Sequence, residues 1–353
     1  MPITRIGING FGCVGRRLFK ILWEQYPELQ IAAIGAADST QTGVGMLLQQ
    51  DQAYGTFAHT LETRSGMLIV DGQNIPIIPQ IDAQNARRWG DCDLDLLIDV
   101  MGSCQRRFDA TGYLQAGIKK VIMTRSAGWA DATLMMGINH HLYNAEQHHL
   151  ISASSCAATG LALISQVLND NFGLAEGFAT LVHPAPFTTQ GGERWSGDHP
   201  IPTVASVARD LNRVLPKVGP RLTTAILRAP APHVAMLDFM AHLKQRVTAR
   251  QVNEIFEQAA ANALKDILAV SDALLASTEY VGDPHSAVVD TLSTTTAGQL
   301  VRVTAKYDCE WSYACRVAGL TAYIAQQGLT RWTMADLWSG LVETELVSMP
   351  QCS

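Results

Sequence analysis

Two rhythms of apolar residues divide the chain. In the first 150 residues, short apolar runs alternate with helical spacing. Ile3–Asn9 alternates as a strand does, and Leu18, Phe19, Ile21 and Leu22 fall at helical spacing within Arg16–Trp23. Gln30–Ala36 is a second apolar strand, Gly43–Gln50 a short helix, and Gly66–Ile78 a pair of strands joined by the turn signal Asp71-Gly72. Leu94–Val100 and Lys119–Thr124 are further buried strands. Strands alternating with helices predict a doubly wound, mostly parallel α/β sheet of Rossmann type. The second half changes character. Gly177–His183, Leu222–Arg228, Val234–Gln245 and Gln299–Asp308 read as strands, with helices at Ala249–Leu268 and Ser312–Gln326. That pattern predicts an α+β domain, its antiparallel sheet covered by helices on one face.

At 353 residues, 47% apolar and 16% charged, the chain can build full cores and is not disordered. A net charge of −6 argues against nucleic acid as partner. The seven cysteines show no C-x-x-C spacing, so neither zinc nor a disulfide framework is suggested, and a reducing, cytoplasmic setting fits. The N-terminus opens directly into a strand, so no signal peptide is expected. No apolar run approaches membrane-spanning length.

Gly10-Phe11-Gly12-Cys13-Val14-Gly15 is G-x-G-x-x-G between a strand and a helix. Such glycines permit a tight turn and let backbone N–H groups approach a pyrophosphate at the helix N-terminus. Asp38, just past the second strand, is either the ribose-binding carboxylate or a turn residue. Cys156 lies in the small-residue run S-A-S-S-C-A-A-T-G between an apolar strand and an apolar-periodic helix. A helix N-terminus lowers a thiol pKa, so Cys156 is expected to be a reactive thiol; the alternative is a buried structural cysteine. His183 ends a strand of the same domain and can serve Cys156 as base, unless it is a core histidine. Beside a dinucleotide fold, this pair suggests aldehyde oxidation through a thiohemiacetal and a thioester. The pairs His140-His141 and His148-His149 lack ligand spacing, so no metal site is expected. The domain boundary falls near Ile151–Cys156. It separates a dinucleotide-binding domain over 1–155, completed by a C-terminal helix at about 316–353, from a catalytic domain over 156–315.

Several collinear stretches resemble the glyceraldehyde-3-phosphate dehydrogenase family, and look most like its erythrose-4-phosphate dehydrogenase branch. They are I-N-G-F-G-C-V-G-R (Ile8–Arg16), S-A-S-S-C (Ser152–Cys156), L-V-H (Leu181–His183), L-R-A-P-A-P (Leu227–Pro232), D-P-H-S-A-V-V-D (Asp283–Asp290) and Y-D-C-E-W-S-Y-A-C-R-V (Tyr307–Val317). The resemblance implies Cys156 as nucleophile, His183 as its base, and Arg228 as the anion-binding residue for a substrate phosphate, with Ser155 and Thr188 beside the substrate. It implies Gly10, Phe11, Gly12, Cys13, Val14, Asp38, Gly102, Thr124, Cys309 and Tyr313 around NAD or NADP. It also implies a homotetramer acting on a small aldehyde, such as a sugar phosphate.

The departures from the family pattern bear on specificity. Ala36 stands where an acidic residue ends the second strand, and Cys309 where an asparagine holds the nicotinamide carboxamide. Ala157, Ala158 and Thr159 follow the cysteine in place of two threonines and an asparagine. Val204-Ala205-Ser206 replaces a serine-threonine-glycine segment, and the loop Thr188–Ile201 is short and poor in arginine. Two functions are therefore expected from different classes. One is an aldehyde dehydrogenase with altered substrate or acyl acceptor; the alternative is a non-catalytic relative acting as a binding or assembly subunit.

Overall fold

Apolar strand positions and glycine turns assemble the first half of the chain around a buried sheet. The computed structural model describes residues 3–36, 43–51, 53–64, 66–79, 86–184, 201–203, 207–229, 233–273 and 275–333. The chain divides into two compact units: 1–134 with 141–153 and 317–353, and 135–140 with 154–316.

In the first unit β1 (Thr4–Asn9) passes through the glycine turn into α1 (Cys13–Gln25) and returns as β2 (Leu29–Ala36), parallel to β1 with Ile8 opposite Ile34. There follow α2 (Gly43–Gln49), β3 (Gln50–Asp51), β4 (Gly55–Thr56), β5 (Leu61–Arg64), β6 (Met67–Val70) and β7 (Gln73–Pro79). Asp71 and Gly72 join β6 to β7 with φ of 48° and 82°, the left-handed pair that a two-residue hairpin needs. The unit continues with α3 (Ala86–Gly90), β8 (Leu96–Asp99), α4 (Arg107–Gln115), β9 (Lys120–Met123), β10 (Ala132–Thr133) and β11 (Leu150–Ser152). The sheet order is β10-β11-β9-β8-β1-β2-β7-β6-β5, parallel from β10 to β7 and antiparallel at the β6–β5 edge. Ile6, Ile8, Leu96, Leu97, Ile98, Val121 and Ile122 are fully buried, as a parallel sheet covered on both faces requires.

The second unit opens with α5 (Cys156–Phe172) and β12 (Leu174–Pro184), then β13 (Ile201–Thr203), α6 (Val207–Val214), β14 (Leu222–Ala229), β15 (Val234–Leu243), α7 (Ala249–Ala261), β16 (Leu268–Ser271), β17 (Ala287–Ala297) and β18 (Leu300–Asp308). The order is β13-β14-β12-β15-β18-β17-β16. The sheet is mixed: β12 runs parallel to β14 and β16 to β17, while the central pairs are antiparallel. The core between helices and sheet holds Leu161, Ile164 and Leu168 from α5 with Leu181, Leu237, Phe239 and Val303 from the strands. α8 (Trp311–Gln327) starts in this unit and belongs to the first from Val317.

Three expectations change. The helix expected over Ala249–Leu268 ends at Ala261, because Leu268 begins β16 and pairs with Ala287. The helix expected at 316–353 ends at Gln327, and residues 334–353 lie outside the described residues. β17 went unread because its S-T-T-T run looks polar; threonine's β-branch favours an extended chain all the same.

Candidate active site

In the first unit the glycine turn has the shape of an anion cradle. Gly10 has φ 117° and donates its N–H to the Gly35 carbonyl at 3.1 Å. A Cβ on Gly15 would stand 1.9 Å from the Gly10 carbonyl oxygen, so only glycine lets α1 pack this close to the turn. A Cβ on Gly12 would meet open space. Gly12 is the N-cap of α1 and supplies no side-chain cap, which leaves first-turn N–H groups available to an anion. Cys13 is exposed, Val14 half-buried, and Phe11 packs edge-on against Phe19 with centroids 5.7 Å apart. Phe11 is therefore a packing residue of the turn, its carbonyl accepting from Arg16.

At the neighbouring strand ends, Asn9 donates its amide to Asp99 and Tyr113, while Asn9 Oδ1 is buried without a donor among the described residues. Asp99 is fully buried and accepts from the Ser103 hydroxyl and the Cys104 N–H. These two residues were missed by sequence reasoning; a polar residue closing an apolar strand is the signal that could have found them. Gly102 has φ 69° after β8, and Thr124 donates both N–H and hydroxyl to the Asp99 carbonyl. All stand at C-terminal strand ends, where ligands of open α/β sheets bind. The residues fit a dinucleotide's pyrophosphate. The ribose position differs, since β2 ends in buried Ala36 and Asp38 lies outside the described residues.

In the second unit, α5 begins at Cys156 with Ser155 as N-cap. Ser155 Oγ accepts from the Ala158 N–H at 3.3 Å, so part of its hydroxyl capacity is committed to the cap. His183, near the end of β12, places Nε2 3.4 Å from Cys156 Sγ. Its Nδ1 lies 3.3 Å from the Pro184 carbonyl, which selects the tautomer with the proton on Nδ1 and leaves Nε2 free to accept. The expected low thiol pKa is not found. Burial pushes the Cys156 thiol up to about 12, outweighing the N–H groups of Ala157 and Cys156 itself, and Asp308 and Glu310 add to the rise. Burial also lowers the His183 imidazole, and the Arg228 charge lowers it further. Both shifts favour the uncharged forms of the thiol and the imidazole.

Arg228 is exposed on β14, in register with His183 across the parallel ladder, so the two side chains share a face of the sheet. Among the described residues no carboxylate pairs with it. Ala157 and Ala158 are buried in the core, and the Thr159 hydroxyl donates to the Ser155 carbonyl. None of the three offers a hydroxyl to a ligand. Cys309 is buried and its thiol donates to the His233 carbonyl at 3.0 Å. Tyr313 is buried too, and its hydroxyl donates to the Ser154 carbonyl at 2.8 Å, in the turn that leads to Cys156. Thr188 and Val204–Ser206 lie outside the described residues. The histidine pairs are used locally: His140 accepts from the Gly137 N–H, His148 from the Asn144 N–H, and His149 sits 3.1 Å from Lys120 Nζ.

A dinucleotide-type unit and a unit holding a cysteine–histidine pair stand in one chain, and the first places it among the NAD-dependent oxidoreductases. The comparisons identify the family. Residues 4–107 match the glyceraldehyde 3-phosphate dehydrogenase NAD binding domain, and residues 155–309 match that enzyme's C-terminal domain. Glyceraldehyde-3-phosphate dehydrogenase 1 of Bacillus subtilis (strain 168) is 35% identical over 92% of this chain and 99% of its own length. The Geobacillus stearothermophilus enzyme is 34% identical over 92% and 99%. Glyceraldehyde-3-phosphate dehydrogenase 4 of Caenorhabditis elegans is 32% identical over 93% and 100%. The chain belongs to the glyceraldehyde-3-phosphate dehydrogenase family and carries its NAD binding domain.

Proposed function

We propose that this protein oxidises a small aldehyde through a thioester on Cys156, with His183 as base and NAD or NADP as oxidant. The observation that carries the reading is the 3.4 Å approach of Cys156 Sγ to His183 Nε2, in a chain with this family's NAD binding domain. The chemistry starts from neutral partners. As Sγ bonds to the aldehyde carbon, the thiol proton passes to Nε2, and the imidazolium returns it to the carbonyl oxygen as the thiohemiacetal forms. Gly10–Val14 would hold the pyrophosphate of a nicotinamide dinucleotide, which when bound would supply the two-electron oxidant. As the thiohemiacetal carbon is oxidised, its hydroxyl proton passes to Nε2 and the thioester remains on Cys156. Throughout, Nδ1–H stays on the Pro184 carbonyl and keeps the ring oriented.

Arg228 grips an anionic substituent of the aldehyde, as guanidinium does phosphate. Glyceraldehyde 3-phosphate and erythrose 4-phosphate are the substrates to try first. The acyl acceptor is where this chain departs. Ala157, Ala158 and the committed Thr159 hydroxyl leave an attacking phosphate few donors near α5. We expect the protein to act in the cytoplasm as a homotetramer.

Mixing enzyme, aldehyde and NAD or NADP should give a burst of reduced cofactor equal to the active sites, then slow turnover largely independent of phosphate. Cys156→Ser should abolish the burst. Turnover rising in proportion to phosphate would refute the altered acceptor. No reduced cofactor, together with no protection of Cys156 from alkylation by the aldehyde, would favour the non-catalytic binding subunit.

A further inference from the structure

The turn entering α5 is held from two directions. Ser154 has φ 58°, a left-handed backbone that a serine adopts only when its surroundings hold it there. Its hydroxyl donates to Asp210 Oδ2 on α6 at 2.5 Å, and its carbonyl accepts from the Tyr313 hydroxyl on α8 at 2.8 Å. Ser154 and Asp210 are both fully buried. Asp210 stands on the buried stripe of α6 formed by Val207, Asp210, Leu211 and Val214. A carboxylate on an apolar stripe is costly to bury without partners; here the Ser154 hydroxyl donates to it and Arg213, partly exposed, lies 3.9 Å away.

We propose that Asp210 is a positioning residue for the nucleophile: through the Ser154 hydroxyl it holds the left-handed turn that aims Cys156 Sγ at His183. Ser154 lies two positions before Cys156, with only Ser155, the N-cap, between them. A rotation at Ser154 therefore moves the start of α5 as a unit. It alters the Sγ–Nε2 approach, and with it the N–H groups of Cys156 and Ala157 that favour the thiolate. The other titratable groups acting on Cys156 and its neighbours come from elsewhere: His183 from β12, Tyr307 and Asp308 from β18, Cys309 and Glu310 just after it, and Tyr313 from α8. Asp210 itself faces Ser154, Arg213 and Tyr313. It acts on geometry, without touching substrate or cofactor. The sequence carried one signal for it, an acidic residue on an apolar helical period.

The inference builds on the reading of Cys156 as nucleophile, and its test does not depend on turnover. The pH dependence of Cys156 alkylation by iodoacetamide is measured in the full-length protein, with Cys156→Ser as the blank. Asp210→Ala and Ser154→Ala should both move the alkylation midpoint upward and slow alkylation at fixed pH on the order of tenfold or more, since small misplacements of a reacting group cost that much. Asp210→Asn keeps an acceptor for the Ser154 hydroxyl and should restore the midpoint. With an oxidisable aldehyde, the alanine variants should lower kcat while KM changes little. Wild-type midpoints in both alanine variants would overturn the inference, as would an Asp210→Asn profile no better than that of Asp210→Ala. If Asp210→Ala does not fold, Ser154→Ala decides alone. Aldehyde oxidation unaffected by these variants would remove Asp210 and leave the dehydrogenase reading intact. Shifted alkylation without any aldehyde oxidation would keep Asp210 and remove the dehydrogenase.

Discussion

Cys156 shows how two opposing influences on one side chain are ranked. Its place at the first residue of a helix points to a low pKa, while burial raises it to about 12, so burial prevails in the free protein. On the proposed function, the thiol would be activated by handing its proton to His183 rather than by resting as thiolate. Three outcomes are expected. Alkylation of Cys156 should climb steadily with pH through the alkaline range, with no plateau at neutral pH. Aldehyde oxidation needs a neutral His183, whose pKa is lowered by burial; the rate should therefore persist below the ordinary histidine value of about 6.5 and fall only in more acid solution. His183→Asn should reduce the rate by roughly 10²–10⁴-fold, the usual worth of a general base. A pH–rate profile falling at or above pH 6.5 would contradict this assignment. Tyr313, which the family resemblance places near a nicotinamide, donates its hydroxyl to the Ser154 carbonyl.

At the scale of elements, the β1–α1 turn depends on a missing methyl group. Gly15→Ala would push a Cβ to within 1.9 Å of the Gly10 oxygen, where backbone rather than a flexible side chain must move. The expected cost is at least about 1–3 kcal/mol of stability, typical of overpacking, with loss of dinucleotide affinity because the cradle is displaced. Thermal unfolding and calorimetric titration with NAD measure the two effects. The end of β2 makes a complementary prediction. With Ala36 where a ribose-binding carboxylate would stand, NADP should bind at least as well as NAD. Ala36→Asp should shift selectivity toward NAD by restoring hydrogen bonds to the ribose and repelling a 2′-phosphate. Tight NAD binding with rejection of NADP in the unaltered protein would instead place that role on Asp38.

At the scale of the whole molecule, the second unit's sheet is covered by α5, α6 and α7 on one face, while Phe178, Met240 and Leu300 on the other are 48%, 44% and 40% exposed. Apolar side chains grouped on one face are what a self-associating surface presents. Sedimentation should find a homo-oligomer, and Phe178→Asp with Met240→Asp should lower its order; a wild-type monomer at micromolar concentration would refute the expected tetramer. The sequence by itself determined those features that rest on local periodicity and backbone freedom. These are the alternation in Ile3–Asn9, the glycine turn, the Asp71-Gly72 hairpin and the cysteine between strand and helix. Each is written within a few consecutive residues, because pleat, helical turn and positive φ are local properties. What only tertiary structure decided depends on residues far apart in the chain. The Cys156–His183 contact spans 27 positions and the Ser154–Asp210 bond 56. The thiol's protonation also belongs to this class. Desolvation is set by every element that closes around a group, and no local pattern reports how many will do so.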